Sequence, residues 1–229
     1  MITSTQNQRV KELVQLHQRK HRIERGLFLV EGPRLVEEAH QAGWLTHVYS
    51  LEPTSYPNSE RVNEVVLAKL STTQSPQGII GVCMRKLVER SSERIVVIES
   101  NDPGNVGTLL RSALAFGFHH VSVASGVDVT NDKVLRASAG AVFHLQIEES
   151  SLRQVKAAYP NHLVLGGDAT GDVTTDYQAP LILVIGHETK GMDASNVDHV
   201  VAIQTKEVES LNAAVAGSML MHRFSVDKS

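Results

Sequence analysis

Three short stretches hold the residue types that do chemistry. The first, residues 99–117, reads ESNDPGNVGTLLRSALAFG. Pro103 and Gly104 make a turn, and Asn105 is placed to cap the following helix by accepting backbone N–H bonds. Arg111 lies four residues after Gly107, on the same helix face, so a guanidinium stands over backbone that carries no side chain. That suits an anionic or oxyanionic ligand; an ordinary turn followed by a surface arginine fits the same residues. A phosphate cradle fits poorly. GNVGTL lacks the Lys-Ser/Thr of the Walker pattern, and the dinucleotide pattern needs three glycines where two stand.

The second stretch, residues 186–192, reads GHETKGM and follows a very apolar run. Gly186 and Gly191 allow a flat or bulky ligand close to the backbone. Glu188 is an acid at a strand end, or else a helix-start carboxylate favoured by the dipole. His187 has no second His or Cys nearby and reads as a loop bystander. The third stretch, residues 205–212, reads TKEVESLN. Ser210 is placed to cap the last helix, with Leu211 and Asn212 in its first turn, and Asn212 offers two donors and an acceptor. Ala213, Ala214, Ala216 and Gly217 then form a small-residue face suited to close packing.

The elements that position these loops alternate. Residues 7–20 read as one helix on the stripe Val10, Leu13, Val14 and Leu16. LFLVEG, WLTHVYS and GIIGVCM read as strands, and RLVEEAHQAG and ERVNEVVLAKL as helices. Residues 86–94, KLVERSSER, read as a linker, giving domains 1–88 and 89–229. Beyond the linker, RIVVIE, HVSVA, FHLQI, HLVLGG and PLILVIG are strands, separated by helices, and a helix closes the chain. Such alternation predicts parallel pairing, with a ligand crevice at the strand C-terminal ends. The three loops all follow strand ends and therefore converge there.

The chain has 229 residues, 41% hydrophobic and 21% charged, enough for one or two cored domains. No apolar run reaches the roughly 18 residues needed to cross a bilayer, and the opening MITSTQNQRVKEL has no apolar signal region. A cytoplasmic location without membrane association is the expectation. One cysteine, Cys83, rules out an internal disulfide and multi-cysteine metal sites, and no metal is expected. The net charge of −3 makes no global case for nucleic acid, but residues 1–25 carry six cations against two carboxylates. That patch is an electrostatic footprint for phosphate, or a solvated helix face. Arg9, Lys11, Arg19, Lys20 and Arg22, with Arg34, Arg111, Lys133 and Arg136, are the candidate phosphate contacts, and RNA contacts under the resemblance given next.

Taken together, NDPGNVGTLLRSALAFG, LVIGHETKGM and ESLNAAVAGSMLMH resemble, in order, the three signature motifs of the SpoU/TrmH family of RNA 2'-O-ribose methyltransferases, in the SPOUT superfamily. NDKVLRASAGAVF resembles a family segment between the first two. The front of the chain, with SPQGIIGV near the junction, looks like the substrate-binding domain of the rRNA-modifying branch. The resemblance implies an α/β fold: a C-terminal SPOUT parallel-sheet domain with a deep trefoil knot, preceded by a small ribosomal-protein-like α/β RNA-binding domain. It implies S-adenosylmethionine as methyl donor, ribosomal RNA as substrate and a homodimer.

Carried over, Arg111 is the catalytic arginine with Asn105 beside it, Glu188 is the second-motif acid, and Ser210 and Asn212 are the polar third-motif pair. Gly186, Glu188, Gly191, Ile203, Leu211 and Asn212 match cofactor contacts. The chain departs from the family at Gln204 and Thr205, where Pro-Met is usual. The family view makes the arginine a general base; a guanidinium is better suited to stabilising an alkoxide and clamping a phosphate. A non-catalytic RNA-binding relative and a tRNA methyltransferase are the alternatives.

Overall fold

The structure is a computed structural model that describes residues 1–174, 177, 180–187, 192–208 and 210–225. Two compact units are present: Met1–Leu87 with Thr130–Phe143, and Val88–Val129 with His144–Ser229. The first unit therefore takes a segment from beyond the linker, unlike the contiguous division expected at residue 88.

The first unit begins with helices α1 (Gln8–Gln15) and α2 (Arg19–Arg25), where one helix was expected over 7–20. The break at residues 16–18 is held by Arg22, whose Nη1 donates to the carbonyls of Leu16 and His17, both at 2.8 Å. Those carbonyls belong to the end of α1, where helix geometry leaves acceptors unfilled. Next come β1 (Leu27–Glu31), α3 (Pro33–Gln41), β2 (Leu45–Ser50), β3 (Ser59–Arg61), α4 (Glu64–Leu70) and β4 (Ile79–Met84). The sheet order is β1-β4-β2-β3. β4 runs antiparallel to both neighbours, while β3 is a parallel edge strand beside β2. α1 and α4 bury Val10, Leu13, Val66 and Leu70 with Tyr49, Ile80 and Val82 of the sheet. Cys83 is fully buried in β4, the expected core role, and burial pushes its thiol up from the ordinary value.

The second unit contains β5 (Arg94–Ile98), α5 (Pro103–Ala115), β6 (His120–Val123), β7 (Gln146–Glu148), α7 (Leu152–Ala158), β8 (Leu163–Asp172), β9 (Leu181–Ile185), β10 (His199–Val201) and α8 (Ala213–Arg223). The intervening helix α6 (Asp132–Ser138) and the 3-10 turn Ala141–Phe143 lie in the segment that packs with the first unit. There Phe143 closes an aromatic group, 6.4 Å from Phe28 and 5.4 Å from Trp44 between ring centroids.

The six strands are ordered β10-β8-β9-β5-β6-β7, all parallel. β5 and β9 are buried at every residue, which is why both read as unbroken apolar runs. Side chains alternate across the sheet. Ile95, Val97, Ile182 and Val184 face α7 through Leu152 and Val155, while Ile185 lies against α8 at Gly217. The connections from β5 to β6 and from β9 to β10 run in opposite directions, so the topological switch falls between β5 and β9.

Candidate active site

The switch point is bridged by a hydrogen bond: Asn101, in the loop after β5, donates Nδ2–H to His187 Nε2 at 3.0 Å, after β9. Helix α5 starts at Pro103, and its cap is Asp102, whose carboxylate accepts the Asn105 N–H at 2.8 Å. The expectation that Asn105 caps this helix is corrected: Asn105 sits in the first turn, and its side chain reaches sideways. There its Oδ1 accepts from Asn212 Nδ2 at 3.3 Å. The last helix is likewise capped by Asn212, not Ser210, with Asn212 Oδ1 accepting from the backbone of Ala214 and Val215. Asn212 thus links the two helix N-termini through its amide while capping one of them through its oxygen. Below this link, the Ser112 and Ser218 hydroxyls meet at 2.6 Å and join α5 to α8.

Arg111 is exposed on α5, about two turns beyond its start. Gly107 is buried, so it presents no bare backbone to a ligand. The expected exposed platform is therefore replaced by a packed helix with Arg111 on its outer surface.

A cavity of about 510 Å³ opens beside the middle of β8 and the C-terminal ends of β9 and β10, a size suited to a small-molecule cofactor. Its apolar wall includes Ile185, Val201, Ile203, Leu211 and Leu220. Polar groups enter from Asp168, His187, Thr205, Ser210 and Asn212. Four of the expected cofactor contacts, Gly186, Ile203, Leu211 and Asn212, lie in this wall. Ile203 does so despite the departure at Gln204 and Thr205. Glu188 and Gly191 lie outside the described residues.

Sequence reasoning missed the part of the wall made by Gly167, Asp168 and Ala169 in the middle of β8. The paired glycines in LGGDATGD were the available signal. It also set His187 aside, yet His187 lines the cavity and accepts from Asn101. On the other side of His187, Glu99 carries a carboxyl pushed up from its ordinary value, first by burial and then by the Asp193 carboxylate, with His187 opposing. Among the described residues, no group of three or more His, Cys, Asp or Glu side chains could hold a metal ion. No helix among them is long and apolar enough to cross a membrane.

The candidate RNA contacts divide. Arg9, Lys11, Arg19, Lys20 and Arg34 are exposed in the first unit, Arg9 paired with Glu60 at 3.0 Å. Lys133 and Arg136, on α6, belong to that unit too, with Arg136 held by Asp132 at 2.8 Å. Arg22 is corrected: it is 8% exposed and spends its guanidinium on α1 carbonyls, which withdraws it from phosphate.

A parallel sheet with a mostly apolar crevice against its strands is the architecture of cofactor-binding α/β enzymes. More particularly, the chain belongs to the SpoU rRNA Methylase family, which it matches over residues 92–222. Residues 7–81 match the MRM3-like substrate binding domain. The chain is 32% identical to an uncharacterised tRNA/rRNA methyltransferase of Synechocystis, over 96% of this chain and 92% of the relative. It is 29% identical to the 23S rRNA (guanosine(2553)-2'-O)-methyltransferase RlmP of Bacillus subtilis, over 96% and 97%. A crystal structure of an RNA 2'-O ribose methyltransferase superposes with a TM-score of 0.82 at 32% identity, covering 97% of this chain and 96% of the other. An AdoMet-bound rRNA methyltransferase from Sinorhizobium meliloti superposes with a TM-score of 0.84 at 25% identity, covering 97% and 95%.

Proposed function

We propose that the protein transfers a methyl group from S-adenosylmethionine to a ribose 2'-hydroxyl of ribosomal RNA. The observation that carries this reading is the junction of the cavity with α5: Asn212 lines the cavity and also holds Asn105, on the helix that bears Arg111. A cofactor in the cavity and a substrate beside Arg111 then share one wall. The residues fit the donor: an apolar wall for a flat base, polar groups for ribose and methionyl ends, and backbone at Gly186 open to close approach.

When bound, the sulfonium supplies an activated methyl group for in-line attack. The chain has to hold the acceptor hydroxyl in line and stabilise the charge that grows on its oxygen. Arg111 supplies two parallel N–H donors, which suit an alkoxide and the neighbouring phosphate together. Asn105, Asn212 and Ser210 fix the orientation of the donor and acceptor, and Glu188 joins them in this proposal. Contact with a 2'-hydroxyl explains RNA rather than DNA as substrate. The exposed cations of the first unit supply phosphate contacts, and ribosomal RNA as substrate goes with a cytoplasmic setting.

The reading includes the trefoil knot and the homodimer that the family resemblance implies. Val215 and Met219 are 49% and 47% exposed, one turn apart on α8, an apolar strip that a second copy would cover. Light scattering on the purified chain tests the dimer. The reaction is tested by mapping ribose methylation in ribosomal RNA with and without the gene, followed by restoration with purified protein and S-adenosylmethionine. Restoration of one lost 2'-O-methyl mark is expected; an unchanged methylation map refutes the assignment.

A further inference from the structure

We infer that Asp168 is the counter-charge for the cationic methionyl end of the methyl donor, an inference that rests on the methyltransferase reading of this cavity. Asp168 stands in the middle of β8, just past the stretch Leu163–Gly167 that pairs with β9, between Gly167 and Ala169 in the cavity wall. Among the described residues lining the cavity it is the one carboxylate; the other polar groups there are hydroxyls, amides and His187. Its orientation is fixed by its own turn. Oδ1 accepts from the Thr170 N–H at 3.0 Å and from the Thr170 hydroxyl at 2.8 Å. No described residue donates to Oδ2, the oxygen that the inference assigns to the ligand.

The chemistry of the ligand gives that oxygen a task. S-adenosylmethionine carries positive charge at its sulfonium and at its α-ammonium. Moving a cation from water to a mostly apolar pocket is costly without an opposite charge or acceptor. Hydroxyl and amide groups offer partial charge; a carboxylate already held in place offers a full one, with little further ordering at binding.

The test is calorimetric titration of the full chain and of Asp168→Asn with three ligands: S-adenosylmethionine, S-adenosylhomocysteine and 5'-methylthioadenosine. The first bears both cationic centres, the second keeps only the ammonium, and the third keeps adenine and ribose without either. Asparagine preserves the Oδ1 acceptor of the turn and removes the charge. The inference expects Asp168→Asn to weaken S-adenosylmethionine by roughly tenfold to a hundredfold, as for loss of a charge-assisted hydrogen bond, and methylthioadenosine by less than about twofold. A parallel loss for S-adenosylhomocysteine assigns the contact to the ammonium; a loss confined to S-adenosylmethionine assigns it to the sulfonium. Equal losses for all three ligands, or no loss, overturn the inference. A salt titration of the unaltered chain reads the same charge without mutation: affinity for S-adenosylmethionine is expected to fall with salt more steeply than affinity for methylthioadenosine, and parallel slopes also count against it. Failure of the unaltered chain to bind any of the three would instead refute the methyltransferase reading.

Discussion

Arg111 has no described partner that fixes it, and it is exposed on a helix whose start, about two turns away, reaches the cavity through Asn105 and Asn212. The role proposed for it depends on shape as well as charge. Arg111→Lys keeps the positive charge and loses the planar fork, so methyl transfer should fall by roughly a hundredfold to a thousandfold. Donor affinity, read by calorimetry, should stay within about twofold, because the cavity wall does not include this residue. A second residue-scale effect concerns stability. His120 is fully buried at the start of β6, with Nδ1 2.9 Å from the Ser92 hydroxyl and Nε2 3.6 Å from the Glu148 carboxylate. Burial pushes its pKa below the ordinary 6.5, and Glu148 opposes this only in part. The unfolded chain therefore takes up the proton first as pH falls through about 6.5, and stability drops from there down through the folded value. Urea-denaturation midpoints at about pH 7.5 and about pH 5 should differ less in His120→Asn than in the unaltered chain. Gly186, Ile203, Ser210, Leu211 and Asn212, which line the cavity, were legible because they follow apolar strands. Asp168 was not, since a lone Asp in a glycine-rich strand also reads as an ordinary turn.

Helices and strands here are fixed by their ends as much as by their faces. Both caps were misplaced by sequence reasoning for one reason: each loop offers two competent residues, Asp102 and Asn105 in one, Ser210 and Asn212 in the other. Asp102 wins because Pro103 fits the first helical position, where no N–H is needed. Glu60 and Arg61 of β3 were read as the start of a helix because they have no apolar pattern; the strand exists by pairing with β2. The apolar runs of β5 and β9 left no such choice. Close backbone approach sets a further limit at Gly171. A Cβ there would lie 2.6 Å from the Val201 carbonyl carbon and 2.7 Å from the Val200 carbonyl, backbone atoms that cannot rotate away. Gly171→Ala should displace β10 and cost about 1–3 kcal/mol in urea denaturation. Because Val201 and Ile203 line the cavity, donor affinity should fall with it. An unchanged denaturation midpoint would show that β10 yields without cost.

At the scale of the whole chain, the change of pattern around residues 86–94, where the leading stretch of the first unit ends at Leu87, was legible. The ownership of α6 was not, because an amphipathic helix does not announce which neighbour its apolar face will meet. Val134, Leu135 and Phe143 are buried, and Phe143 stacks within the first unit on Phe28 and Trp44. The chain thus crosses between its two halves three times, at residues 87–88, 129–130 and 143–144. A cut at residue 88 would leave residues 89–229 holding a helix whose packing partners are gone. That fragment should bind a hydrophobic dye such as ANS and aggregate, and adding residues 1–87 in trans should suppress both. Dye-free, monodisperse behaviour of the fragment alone would contradict this. The further consequence is for inheritance. Two modules joined by one linker can be shuffled by a single recombination, whereas here a new front must arrive already matched to α6 or bring its own replacement. Exchange of RNA specificity between relatives should therefore carry residues 130–143 along with the front, as one discontinuous unit of descent.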